Sequence, residues 1–287
     1  MAPTEPIIGA ALAAAELGDA EALVREAGWN QLPADWEIFR TLGTVLAARA
    51  GGHVVATAAT LPYGSFAWIS MVLVAGGYRR HGLGSRLLER CVEALVDQGQ
   101  VPVLDATPAG KPLYRTMGFQ ETWGYQRLAA KVVRLSSPAE PTDGIAIRPV
   151  IDTDWNELCA YDAAAFGAPR GSLLQRLRGR LPAAELIAIR RGRIAGFLLG
   201  RDGRGASQLG PLVAEGDAIA LALLQRALSA VKGPVYLDLA DAKADACRSL
   251  EQCGFASQRP LTRMLLGRSA GFDDPSRTFA VVGPEFG

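Results

Sequence analysis

The chain has 287 residues, 49% hydrophobic and 21% charged, which is enough apolar content to build packed cores over a length that suits two ordinary domains. With 30 Lys and Arg against 29 Asp and Glu, the net charge of +1 gives no ground for a nucleic-acid partner. The 4 cysteines include no CxxC pair and the histidines are only 2, a composition that argues against a zinc site and predicts reduced core thiols, with a reducing cytoplasm as the simplest setting.

The N-terminal stretch is apolar but lacks a basic lead, and Glu5, Glu16, Asp19 and Glu21 interrupt it. It predicts a strand and an amphipathic helix over 12–27 rather than a signal peptide. No apolar run is long enough to cross a bilayer, so no membrane association is expected. Strand-like segments follow at 44–50, 54–61 and 66–74. A glycine-rich turn, GGYRRHGLG, leads into a helix whose Leu83, Leu87, Leu88, Cys91, Val92, Leu95 and Val96 share one face. A short strand at 101–104 and a short helix at 109–117, ended by Gly118, come next. Segments 119–123 and 126–135 read as strands closing the first half.

The polar run SSPAEPTDG at 136–144 is the clearest linker. It divides the chain into residues 1–135 and 145–287. The second half repeats the order: strand 145–148, helix 154–164, strands 185–190, 194–199 and 208–213, a long helix marked by Ile219, Leu223, Leu224, Leu228 and Val231, strand 235–239, helix 244–252, then Gly254-Phe255 and a strand at 261–266. The interval from Val74 to Phe119 nearly equals that from Val213 to Phe255, and both hold the same elements. Duplication of an α/β unit explains this economically; the alternative is a coincidence of apolar patterns.

The most informative stretch is the turn after the strand ending at Val74. It carries Arg79, Arg80, His81, Gly82 and Gly84 and opens straight into a helix. The first N–H groups of a helix lack intrahelical acceptors and stand at the positive end of its dipole, so they suit a phosphate or pyrophosphate. Gly82 and Gly84 keep side chains away from the backbone, and the basic residues add charge. Two alternatives stand beside this one: a plain strand-to-helix turn with solvated arginines, and a dinucleotide loop, for which GxGxxG is missing.

The run Arg79-Arg80-His81-Gly82-Leu83-Gly84, with Val74 ahead of it and Leu113-Tyr114 shortly before Gly118-Phe119, resembles the GNAT superfamily of acyl-CoA N-acyltransferases, and within it a bacterial tandem subgroup with a divergent second domain. The resemblance implies an α/β fold of two tandem GNAT-like domains, each a mixed, mostly antiparallel, twisted sheet flanked by helices. It also implies acetyl-CoA as co-substrate. By the resemblance, backbone N–H groups from Arg79 to Ser85 (Arg79, Arg80, His81, Gly82, Leu83, Gly84, Ser85) hold the pyrophosphate. Pantetheine runs along Met71, Val72, Leu73 and Val74, with a backbone N–H near Val72 polarising the thioester carbonyl. Tyr114 protonates the departing thiolate, and Thr107 stands where an asparagine often contacts CoA. Trp29, Asn30 and Trp68 are offered as lining for the acceptor cleft, with core packing equally open for either tryptophan.

An amine must lose its proton to attack, since an aliphatic ammonium has a pKa near ~10. Segment 66–74 has no carboxylate; Asp35, Glu37, Asp105 and Glu121 are candidate bases by default and none is preferred. In the second half, Ala214-Glu215-Gly216-Asp217 stands where the basic turn would be, and Leu250 where the tyrosine would be. Acids repel a diphosphate and leucine donates no proton, so this half is expected to complete the acceptor cleft, set interdomain geometry or mediate a homodimer. The expected reaction is direct transfer of acetyl to a primary amine of a small molecule or peptide. Its alternatives are a CoA-binding regulator without turnover, a protein lysine acetyltransferase, and a transferase with a larger acyl donor.

Overall fold

The computed structural model describes residues 5–134 and 144–287. The expected linker, apart from Gly144, lies outside the described residues. Elements run β1 (Ile7–Ala11), α1 (Leu17–Glu26), α2 (Pro33–Leu42), β2 (Thr44–Ala50), β3 (His53–Tyr63), β4 (Phe66–Val74), α3 (Leu83–Asp97), β5 (Val101–Ala106), α4 (Lys111–Thr116) and β6 (Phe119–Ala130). They continue with β7 (Ile145–Pro149), α5 (Trp155–Phe166), α6 (Gly171–Leu177), β8 (Leu186–Arg190), β9 (Arg193–Arg201), β10 (Ser207–Ala214), α7 (Asp217–Leu228), β11 (Val235–Ala240), α8 (Ala244–Gln252), β12 (Ala256–Leu266) and β13 (Thr278–Ala280).

Packing divides the chain into two compact units. The first runs to Leu104 and includes Phe286. Its strands lie in the order β1-β2-β3-β4-β5, antiparallel except for the parallel β4–β5 pair. β3 is buried on both faces from Val54 to Ala59, and its small Ala56, Thr57, Ala58 and Ala59 let α1 and α3 pack close. α3 supplies Leu83, Leu87, Leu88, Cys91 and Leu95, the apolar stripe read from the sequence. Burial pushes the Cys91 thiol up to about 12, so it is an inert core group. α2, which periodicity alone did not reveal, starts at Pro33 and is capped by Asp35, whose carboxylate accepts the Leu32 N–H at 2.8 Å.

The second unit runs from Asp105 to Glu285 and includes Gly287. Its strand order is β12-β6-β11-β13-β10-β9-β8-β7. The apolar side of α7 and α8, with Leu223, Leu224, Ala227 and Leu250, packs on Leu128, Leu237 and Leu239 of the sheet. Two features differ from the sequence reading. The two strands expected at 119–123 and 126–135 are one strand, β6. This strand belongs to the second unit, where it pairs antiparallel with β11 on one edge and β12 on the other. Compact packing divides at Leu104/Asp105, and β6 finds both its ladder partners among strands from the second half. α6 was also not expected; its seven residues are too few to show a period.

Candidate active site

In the first unit β4 and β5 pair only at Phe66–Val101, Ala67–Pro102 and Trp68–Val103. Beyond Trp68 the outer half of β4 has no ladder partner in β5, although the strand continues to Val74. Backbone groups along such an edge call for a partner. The Ser70 hydroxyl lies where the strands part, enclosed and without a hydrogen bond among the described residues.

On its other edge β4 carries a bulge. Thr57 pairs with Leu73 and Ala59 with Ser70, so Met71 and Val72 together stand against Ala58. Met71 takes a left-handed backbone, φ 51°, and the buried Thr57 hydroxyl donates to its carbonyl at 2.9 Å.

The turn after β4 is braced from α1. The Glu26 carboxylate accepts the Gly76 N–H at 2.8 Å and a guanidinium N–H of Arg79 at 2.7 Å, while Arg79 Nε donates to the Val74 carbonyl at 2.9 Å. Arg79 thus holds the turn through its side chain. Gly82, at φ 73°, begins α3 in the left-handed region, and Arg86 N–H to Gly82 O is the first bond of the helix. The N–H groups of Leu83, Gly84 and Ser85 precede that bond, no side chain caps them, and the first turn has no acid. A Cβ on Gly84 would lie 3.4 Å from Val74 Cγ2 and 3.8 Å from Val72 Cγ1, filling the space over the outer half of β4. Arg80 and His81 are exposed, and Leu83 is buried. Met71 and Leu73 point into the core, whereas Val72 and Val74 are half-buried.

Trp29 is half-buried and Asn30 buried, both at the end of α1. Trp68, offered as cleft lining, is 2% exposed and packs in an aromatic cluster with Tyr63 and Phe66, centroids 6.3 and 6.4 Å away. That is a core position.

The second unit holds Tyr114 and Thr107. Tyr114 is half-buried on α4, its ring tilted against Phe119 at 6.1 Å, and burial raises its phenol above the usual range. Among the described residues no hydrogen bond engages its hydroxyl. Thr107 shapes the start of α4, its carbonyl accepting N–H groups from Gly110 and Lys111.

The four default bases are all committed. Asp35 caps α2. Glu37 pairs with Arg40 at 3.3 Å. The Asp105 carboxyl is enclosed and gripped by Arg263, with burial raising its pKa against the pull of that guanidinium. Glu121 pairs with Lys111 and Arg115, which lower its pKa.

β10 and β11 of the second unit repeat the geometry of β4 and β5. They pair in parallel at Ser207–Val235, Gln208–Tyr236 and Leu209–Leu237 and then part. Here the gap holds β13, which bonds Leu212 and Val213 of β10 and Leu239 of β11. The tail is built in tightly: a Cβ on Gly210 would stand 2.0 Å from the Val281 carbonyl oxygen. The strand character read at 279–282 falls on β13, Thr278–Ala280, whose ladder partners lie in this unit. Where the basic turn stands in the first unit, Glu215 forms an ion pair with Arg190 and Asp217 begins α7. Leu250, in place of the tyrosine, is a core residue.

In both units the parallel strands of a mixed sheet part ahead of a helix, and in the first unit the start of that helix is free of acids. Residues 15–119 match the acetyltransferase (GNAT) family and residues 158–280 match an acetyltransferase (GNAT) domain. Both halves of the chain thus match GNAT acetyltransferase models, which makes it a tandem GNAT protein of the acyltransferase class. A Bacillus subtilis (strain 168) protein called an uncharacterized N-acetyltransferase, YitH, is 25% identical over 204 residues, 71% of each chain. A putative acetyltransferase from Pyrococcus horikoshii superposes with a TM-score of 0.78 at 21% identity, covering 98% of this chain and 96% of the other. A tandem GNAT protein from the clavulanic acid biosynthesis pathway superposes with a TM-score of 0.64 at 17% identity, covering 93% and 99%. Both structural likenesses speak for the fold. Among the described residues no helix is long and apolar enough to cross a membrane.

Proposed function

We propose that the chain moves an acetyl group from acetyl-CoA to a primary amine of a small molecule or peptide by direct attack. The unpartnered outer half of β4 carries this reading, because its exposed edge leads directly to the bare amides of Leu83, Gly84 and Ser85. These groups fit the co-substrate: an extended pantetheine satisfies an open strand edge, and a pyrophosphate satisfies helix N-terminal N–H groups. The thioester supplies the activated acyl carbon. Met71 to Val74 orient it, and the Val72 N–H stabilises negative charge developing on its carbonyl oxygen. Tyr114 serves as general acid toward the departing thiolate. Its motif position supports this role, and a phenol carries its proton at neutral pH.

A second reading, a CoA-binding protein without turnover, draws on one observation: each of the four carboxylates considered as base is held in a cap or an ion pair. Purified protein mixed with acetyl-CoA and a panel of amines, including amino acids, polyamines and lysine peptides, separates the two. Release of free thiol that depends on an amine supports acetyl transfer. Tight acetyl-CoA binding without such release supports the regulator.

A further inference from the structure

The Val72 N–H is useful only if it points away from β3, and the strand by itself does not ensure this. Neither Met71 nor Val72 has a ladder partner in β3. Met71 is a non-glycine residue at φ 51°, a conformation that persists only where neighbours impose it. One neighbour does so visibly. Thr57 is fully buried on β3, and its hydroxyl donates to the Met71 carbonyl at 2.9 Å. Met71 C=O and Val72 N–H belong to one trans peptide plane, in which the two groups point in opposite directions. Drawing the carbonyl toward β3 therefore turns the Val72 N–H away from β3, to the side where β5 no longer pairs with β4.

We infer that Thr57 is a positioning residue: its hydroxyl bond to the Met71 carbonyl sets the peptide plane that aims the Val72 N–H at the thioester oxygen. The inference rests on the acetyl-transfer reading for what the N–H serves, but the aiming itself is a property of this chain. A merely structural threonine would satisfy its own buried hydroxyl and nothing else. Its loss would then lower stability and leave the chemistry alone.

Thr57→Val keeps the shape and removes the donor; Thr57→Ser keeps the donor. Losing an oxyanion donor outright costs roughly 10²–10³-fold in kcat, so a misaimed one is expected to cost at least about tenfold. Thr57→Val should lower kcat by that factor with KM for acetyl-CoA within about twofold, and Thr57→Ser should restore most of the rate. The second readout needs no amine: the Val72 amide proton, followed by NMR, should shift downfield when acetyl-CoA is added to wild type and not when it is added to Thr57→Val. Wild-type kcat in Thr57→Val, or an equal Val72 shift in both proteins, or no shift in wild type, overturns the inference. If no amine is acetylated yet the Val72 shift still requires Thr57, the acetyl-transfer reading falls and the positioning role stands.

Discussion

The two pairs of parting strands, β4 with β5 and β10 with β11, are the most instructive comparison in the molecule. Each begins with three parallel register pairs and then opens. In the second unit the opening is closed by the chain's own β13, and the helix that follows opens with Asp217, with Glu215 just ahead of it. Both β4 and β10 carry a bulge where their partners part, but in the first unit it holds a left-handed Met71 and leads to a helix start free of acids. One geometry has thus gone two ways. A strand edge needs hydrogen bonds, and either a ligand or a spare piece of polypeptide supplies them. Where the polypeptide does, nothing selects for the bare amides, and acids stand in their place.

The largest expected effect tests the chemical half of this contrast. Tyr114→Phe should lower kcat by roughly 10²–10⁴-fold, the usual contribution of a positioned general acid. The dissociation constant for CoA should stay within about twofold, because the pyrophosphate amides are untouched. Steady-state kinetics together with calorimetric CoA titration check both numbers, and an unchanged kcat removes Tyr114 from the mechanism. The counterpart change, Leu250→Ala, should cost stability alone.

The filled gap predicts a purely structural role for β13. Phe279 is 1% exposed, with the Lys243 ammonium 4.0 Å above its ring. Phe279→Ala should destabilise the protein by about 3–5 kcal/mol, read from urea unfolding, with kcat for the folded protein unchanged. A change of less than about 1 kcal/mol would mean that β13 fills the gap without supporting it. Gly84→Glu probes the other gap. A side chain there occupies the space over Val72 and Val74 and brings a carboxylate to the pyrophosphate amides. CoA affinity should fall at least about tenfold, because the bulk over Val72 and Val74 adds to the roughly 0.3–1 kcal/mol that charge at a helix terminus commands. Equal affinity in the variant would place the carrier elsewhere.

Much of this contrast was legible in the sequence, for reasons that can be named. The α3 stripe from Leu83 to Leu95 and the glycine stops at Gly118 and Gly254 are local signals, and they gave element positions within a few residues. The basic turn against Glu215 and Asp217 was equally local. What sequence missed was long-range or geometric. β6 reads as a strand, but its partners in β11 and β12 lie more than a hundred residues away, and no local pattern records them. Met71 carries no mark of its left-handed backbone, and Thr57 looks like any threonine in a small-residue strand. Glu26 braces the turn through Gly76 and Arg79, across fifty positions of chain. Trp68 stays open between cleft and core in the sequence because an aromatic residue on β4 suits either, and only its packing with Tyr63 and Phe66 puts it in an aromatic cluster.

The smallest expected effect concerns a device that both units keep. In the first, Glu16 accepts the Ala13 N–H at 2.8 Å and is gripped by Arg49. In the second, Asp154 accepts the Ile151 N–H at 2.9 Å and is gripped by Arg148. Each carboxylate joins the entry of the first helix to an arginine in that unit's sheet. The Arg49 side-chain bond lowers Glu16 from 4.5 to about 2, and the Arg148 bond lowers Asp154. A carboxylate depressed on folding contributes stability above its unfolded pKa and loses it as pH falls through the folded one. The Glu16 contribution is therefore complete above about pH 4.5 and gone near pH 2. Because solvent screens this partly exposed pair, Glu16→Gln should cost only about 1 kcal/mol at pH 7. Wild type and variant should converge in stability on acidification toward pH 2, as followed by thermal melts across that range. A gap that persists at pH 2 would show that the glutamate acts through packing rather than charge. Asp154→Asn should show the same convergence, since the two units differ in their strand gaps and not in this clasp.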